Sequence, residues 1–448
     1  MAVSPARQAA FTILLRVERE SAFAVELLHS SLLEDLSPAD RNLTTEIVMG
    51  VLRWRSVLDQ TIARLSFTPF RKLDLEVLTA LRMGVYQKQF LSKVPSHAAV
   101  NETVELVKAA RKTSAAGLVN AVMRKVKGGF EPVSNAETAE QLAASLAHPK
   151  WLVERWEVHF GEAARLICEY DQRVPQTALR LASAEDDEAA LARVGVQFAP
   201  GALMKSARSV ISGDVTLTES FRSGKVAIQD EGSQLVAALV GEGRRILDCC
   251  AAPGGKSGAL ATRLPEAEIF AAELHPHRAR LLRRMAPQTN VHIVTADALT
   301  LPFTGNFDRV LADVPCSGTG TLARNPEIKW RLRPHDLKDL QARQIAILSA
   351  AMRHVAHGGR LVYSTCSLEP EENRQVVMAC LQENAEFKII PALDELRRLR
   401  RAGELVWNDV AQLVDGDFLQ TIPGVHPCDG FFAAVLQKNR PIISSHRS

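Results

Sequence analysis

The sequence predicts a multi-domain protein: an all-α first domain, a small α+β connector, and a doubly wound α/β domain with a mostly parallel sheet. Three observations lead there. At 448 residues the chain exceeds the size at which a single hydrophobic core stops growing. Residues 5–128 carry helical periodicity without an alternating strand, and beyond about residue 230 short apolar strands alternate with helical segments. Composition is ordinary for a globular chain, 46% apolar and 23% charged, which excludes disordered and fibrous classes.

In the front part Ala10, Ile13, Leu14 and Val17 recur at the spacing of one helix face. Ile47, Val51, Trp54 and Leu58 mark a second stripe, and Val100, Val104 and Val107 begin a third. Leu36-Ser37-Pro38 and Val94-Pro95-Ser96 read as helix boundaries. The linker Gly128-Gly129-Phe130-Glu131-Pro132 closes a domain at residues 1–130. The connector, residues 145–228, is expected to hold strands at Thr177–Leu181 and Ser209–Ile211 and a helix at Asp186–Arg193. The third domain, 229–440, has strands at Arg245–Asp248, Ala267–Leu274, Val291–Asp297, Phe307–Asp313 and Arg360–Thr365, with a long helix at Asp336–Ala356. Ligands of such sheets bind at the carboxyl ends of the strands.

The apolar run Phe11–Leu15 is too short for a signal-peptide core, and no stretch approaches the roughly 20 apolar residues of a spanning helix. A soluble, cytoplasmic protein with no membrane partner is expected. Seven cysteines, an odd number, fit reduced thiols better than a disulfide framework. Residues 1–130 carry 18 Lys/Arg against 12 Asp/Glu, a charge of +6, so the remainder contributes −3 to the overall +3. A basic first domain suits a polyanion, and solvated helix faces explain it as well.

Three features carry chemistry. The first is Asp248-Cys249-Cys250-Ala251-Ala252-Pro253-Gly254-Gly255-Lys256-Ser257, at the first strand-to-helix turn, where glycines let a ligand approach free helix amides. A phosphate loop would need glycine at position 250, which is cysteine, and the dinucleotide fingerprint G-x-G-x-x-G is absent. The second is a set of acids closing strands. Glu273, 18 residues past Gly255, is placed for ribose hydroxyls, and Asp297 for an adenine amino group, with Asp313 on the next strand. The third is the cysteine pair in Asp313-Val314-Pro315-Cys316-Ser317-Gly318 and Tyr363-Ser364-Thr365-Cys366-Ser367. No C-x2-C pair or His-x3–5-His accompanies these cysteines, so no metal is expected.

Cys250 through Lys256, Asp313 through Gly320 and Tyr363 through Ser367 resemble three signature motifs of the NOL1/NOP2/Sun RNA cytosine-5 methyltransferases. Arg324-Asn325-Pro326-Glu327-Ile328-Lys329-Trp330 and Asp429-Gly430-Phe431-Phe432 also match, so the likeness spans residues 225–438. Asp40–Leu43, Gly50–Trp54 and Asn120–Arg124 resemble the RNA-binding NusB fold. The resemblance implies a Rossmann-like class I methyltransferase domain with a seven-stranded sheet, S-adenosyl-L-methionine as cofactor and 5-methylcytosine as product. A NusB-like front on such a domain is similar to bacterial small-subunit rRNA methyltransferases, which implies 16S rRNA as partner, free or in an early particle, and a monomeric enzyme.

By motif, the cofactor lies against Cys250, Ala251, Ala252, Pro253, Gly254, Gly255 and Lys256, with Glu273, Asp297 and Asp313 as side-chain contacts. The family places the nucleophile at Cys366 and gives Cys316 a part in product release. Spacing alone does not choose between the two. A thiolate adding to carbon 6 of cytosine makes carbon 5 nucleophilic toward a methyl donor, and Asp313 can stabilise the adduct. Glu273 departs from the aspartate of many relatives without losing a ribose contact. Two rivals stand beside this reading: a tRNA cytosine-5 methyltransferase, and an assembly factor that kept the fold without the chemistry.

Overall fold

The computed structural model describes residues 3–130 and 136–440, so Glu131 and Pro132 of the expected linker lie outside it. These residues form two compact units: one running to Val174 together with Leu322–Arg331, the other comprising the rest from Pro175.

The first unit is helical. Helices span Pro5–Glu20, Pro38–Arg53, Arg55–Leu65, Leu75–Phe90, Ser96–Ala109 and Ala116–Lys125, with shorter turns between. Ser37 caps one of them, accepting from the Asp40 amide while Pro38 starts the first turn. The helix Leu75–Phe90 is buried on every face from Val77 to Gln87, as a central helix must be, with Arg82 paired to Asp59 at 2.7 Å. Its neighbours come close because of glycines: a methyl on Gly50 would stand 1.9 Å from the Tyr86 ring, and one on Gly84 2.4 Å from Thr103 Oγ1. The connector, expected from residue 145, instead leaves Lys150–Phe160 and Ala163–Asp171 in this unit. The preceding helix, Ala139–Ser145, packs on Arg55–Leu65, and Leu152, Trp156 and Ile167 are fully buried here rather than forming a separate core.

Leu322–Arg331 also belongs to this unit. Trp330 Nε1 donates to the Leu52 carbonyl at 2.6 Å, and Arg331 donates to the carbonyls of Val17 and Ala22 at 2.8 and 2.6 Å. Glu327 accepts from the Ala24 amide at 2.8 Å, and Lys329 is wholly buried.

The second unit holds two sheets. The smaller is antiparallel, ordered β2 (Gln197–Pro200), β3 (Ala207–Ser212), β1 (Ala178–Leu181), β4 (Val226–Ile228). Of these, β2 and β4 lie outside the sequence expectation. The larger sheet has a parallel core in the order β7 (Val291–Thr295), β6 (Glu268–Glu273), β5 (Arg245–Asp248), β8 (Phe307–Asp313), β9 (Val355–Thr365). Beside β9 runs the antiparallel β13 (Phe432–Lys438). Its other edge is shared end to end by β10 (Phe387–Ile390) and β12 (Phe418–Gln420), with β11 (Val414–Asp415) beyond β12. The sheet therefore has nine strands where seven were expected. The reason is geometric: β13 is long enough to seat a second short strand along the same edge.

Alternation along the strands loads both faces. Ile246, Ala271, Leu311 and Val362 pack into one core, and Leu247, Ala272, Val310 and Leu361 into the other. The order reverses at β5, so the carboxyl ends of β5, β6, β8 and β9 converge where such sheets bind ligands.

Candidate active site and its relatives

Asp248 ends β5, 1% exposed, with Oδ2 accepting from Ser257 Oγ at 2.6 Å. Its Oδ1 is buried without a partner among the described residues. Burial, with the nearby Asp313 carboxylate adding, pushes the Asp248 carboxyl up to about 7. The chain then turns through Gly254 at φ +119°, which only glycine tolerates well. A methyl there would also stand 2.9 Å from Leu282 Cδ1. The helix Gly255–Arg263 follows with no side-chain cap, so its first amides are open to a ligand. Glu273, 5% exposed, ends β6 and spends one oxygen on the His275 amide at 2.9 Å. Asp297 lies two residues past β7, exposed, holding the Leu299 amide at 3.0 Å. A strained glycine cradle, free helix amides, an orphaned buried carboxylate oxygen and two strand-end acids fit a cofactor with ribose and amino groups.

Lys256 reaches across this turn. Its Nζ pairs with Asp313 Oδ2 at 2.7 Å and stands 5.0 Å over the Phe431 ring. Burial works against the ammonium, but Asp313, helped by Cys366 and Asp248, outweighs it and raises the pKa above the ordinary lysine value. The other Asp313 oxygen accepts from Ser364 Oγ at 2.7 Å.

Cys316 and Cys366, 50 residues apart in sequence, bring their sulfurs to 3.3 Å. They are free thiols, each partly exposed. The hydrogen bond to Cys366 and burial together push the Cys316 thiol well up. Burial likewise pushes Cys249 and Cys250 up, which suits packing residues.

Sequence reasoning missed what holds the two cysteine loops. Glu372, fully buried, accepts from the Ser317 amide at 2.8 Å and Gln344 Nε2 at 2.9 Å on one oxygen. Its second oxygen accepts from Ser317 Oγ and, at 2.5 Å, from Ser367 Oγ. Thr365 donates to Asn373, whose amide returns to the Ser367 carbonyl at 2.8 Å. The Gly320 amide donates to the Cys366 carbonyl at 2.9 Å, and a methyl on Gly320 would meet the Gly430 carbonyl oxygen at 2.2 Å. The signal was there in part, as serines and threonines flanking both cysteines, but it named no acceptor.

A cofactor cradle at a sheet edge, with two facing thiols, can be compared with known proteins. Residues 237–437 match the 16S rRNA methyltransferase RsmB/F family and residues 4–127 the NusB family. A probable ribosomal RNA small subunit methyltransferase B of Bacillus subtilis is 33% identical, over 96% of this chain and 98% of its own. This chain belongs to that methyltransferase family. The ribosomal RNA small subunit methyltransferase B of Vibrio cholerae is 31% identical over 90% and 91% of the two chains. The crystal structure of PH0851 shares the fold, at 23% identity and a TM-score of 0.80, covering 98% of this chain and 100% of that one. The helical front is thus a NusB domain, the nine-stranded unit is a Rossmann-like methyltransferase domain, and the cofactor is S-adenosyl-L-methionine.

Proposed function

We propose that this family member methylates carbon 5 of a cytosine in 16S rRNA, with Cys366 as nucleophile. The observation that carries the reading is the 3.3 Å meeting of the two sulfurs beside the Lys256–Asp313 pair. The Lys256 ammonium, held by Asp313 Oδ2 at 2.7 Å, brings a positive charge into the same site. The hydrogen bond to Cys366 and burial push the Cys316 thiol up, which keeps it neutral and able to donate a hydrogen bond to its neighbour.

The Cys366 sulfur pair forms a bond to carbon 6 of the ring, the carbon 5–carbon 6 π bond opens, and its electron pair makes carbon 5 nucleophilic. S-adenosyl-L-methionine, when bound, supplies the electrophilic methyl. Asp313, positioned by Lys256 and Ser364, hydrogen-bonds the ring and stabilises the adduct. Removal of the carbon-5 proton restores the ring double bond and expels the Cys366 sulfur, which Cys316 receives as a hydrogen-bond donor. The target base must leave its stack to reach the sulfur, at a cost of a few kcal/mol that is smallest in a loop.

The test is incubation with methyl-labelled cofactor and unmodified 16S rRNA, then nucleoside analysis. Label in 5-methylcytidine, lost in Cys366→Ala with cofactor affinity kept, supports the reading. Label in tRNA alone would overturn the substrate, and normal turnover by Cys366→Ala would overturn the nucleophile.

A further inference from the structure

A cavity of about 350 Å³ lies within the second unit, where the small sheet meets the helices Glu231–Leu239 and Gly255–Arg263. Met204, Ala238 and Ala259 give it an apolar floor. Its charged lining is mostly cationic: Arg180, Lys205 and Arg263. Among the described residues its one acid is Glu404, already held by Arg263 in a two-pronged pair at 2.7 and 2.8 Å.

Arg180 is the unusual member. It stands on β1, only 5% exposed, and its Nε donates to Gln229 Oε1 at 3.1 Å. Among the described residues its two terminal nitrogens have no hydrogen-bond or ion-pair partner, and one lies 3.7 Å from where a methyl on Gly258 would stand. The acid that faces it, Asp187, already accepts from the Ala182 and Ser183 amides at 3.0 and 2.9 Å. Burial pulls the guanidinium down to about 10, and Asp187 offsets only part of that. A guanidinium fork that lines the cavity with no partner among the described residues matches the paired oxygens of a phosphate, which is the geometry arginine serves best. Lys205, an exposed lining residue, adds a second positive charge and has no ion-pair partner among the described residues. The volume is that of a small-ligand site, enough for one nucleotide with its sugar or base on the apolar floor.

We propose that this cavity binds one ribonucleotide of the RNA strand through its phosphate, held by Arg180 and Lys205. The inference rests on RNA being the substrate and is independent of the chemistry at Cys366. The experiment measures binding of an unmodified 16S rRNA fragment against salt concentration for wild type, Arg180→Gln and Lys205→Ala. Cytidine 5′-monophosphate is titrated in parallel by phosphorus NMR. Each variant should weaken RNA binding about 5- to 10-fold at 0.1 M salt and lower the salt slope by about one. Nucleotide binding lost in the variants while RNA binding is untouched would overturn the strand assignment in favour of a free nucleotide. No change in either would overturn the site. Should Arg180→Gln fail to fold, Lys205→Ala and Lys205→Glu decide the matter. A wild type that ignores 16S rRNA would fault the substrate reading instead, leaving the nucleotide titration to judge the cavity.

Discussion

Replacing Lys329 by methionine should make the helical unit more stable, and most so at neutral and acidic pH. The residue sits in the motif Arg324–Trp330, 1% exposed, with its Nζ lacking any hydrogen-bond partner among the described residues. Burial drives its pKa from 10.5 down to about 7; Asp171 raises it and Arg53 lowers it further. At 1.36 kcal/mol for each pH unit, carrying the charge in the fold costs on the order of 5 kcal/mol below pH 7. The folded value lies below the unfolded one, so the unfolded chain binds more protons between about pH 7 and 10.5. Stability should therefore rise with pH across that window and gain nothing further above it. Methionine fills the same space without charge, giving up the ammonium's position 5.2 Å from the Trp330 ring, worth about 1 kcal/mol. The variant should gain roughly 2–4 kcal/mol at pH 6.5 and almost nothing near pH 10. Urea unfolding at several pH values measures this, since Trp54, Trp151, Trp156 and Trp330 report on the first unit and Trp407 on the second. A methionine variant less stable than wild type by the same amount at every pH would show the ammonium to be paired in the fold, and the reasoning wrong.

Cys316→Ala should trap a covalent complex with 16S rRNA that survives denaturing electrophoresis; the same complex from Cys366→Ala would reverse the two roles. Glu372→Gln turns one acceptor oxygen into a donor facing Ser317 or Ser367, costing about 2–4 kcal/mol locally. Its turnover should fall at least tenfold with cofactor affinity, by equilibrium dialysis, kept within a factor of about two. Gly320→Ala, whose new methyl meets the Gly430 carbonyl at 2.2 Å, should lower the melting temperature and turnover together. A wild-type melting curve from that variant would show the loop to be free to shift.

The parallel core and its turn were legible because their signals are local. Arg245–Asp248 and Phe307–Asp313 each hold a short unbroken apolar stretch, Ile246-Leu247 and Val310-Leu311-Ala312, which is how a strand covered on both faces announces itself. Cys316 and Cys366 stood out for the same reason, each closing such a run beside polar residues. What failed to show were residues whose meaning depends on a distant partner. The strands β10, β11 and β12 are two to four residues long and owe their pairing to each other and to β13, so their segments carry no pattern of their own. Lys256 reads as a phosphate-loop lysine until Asp313, 57 positions on, takes its ammonium. Glu372 reads as one more solvated charge in Glu369-Pro370-Glu371-Glu372, yet the hydroxyls of Ser317 and Ser367 and the Gln344 amide make it the fully buried hub of both cysteine loops. Arg324–Trp330 matches the family by sequence alone, and only the fold shows that its Trp330, with the adjoining Arg331, anchors on carbonyls of the helical unit. In each case burying a charge or donor is tolerable only where remote groups satisfy it. The residues that position the chemistry are therefore the ones a linear reading takes for surface, whereas the nucleophile candidates themselves can be seen without the fold.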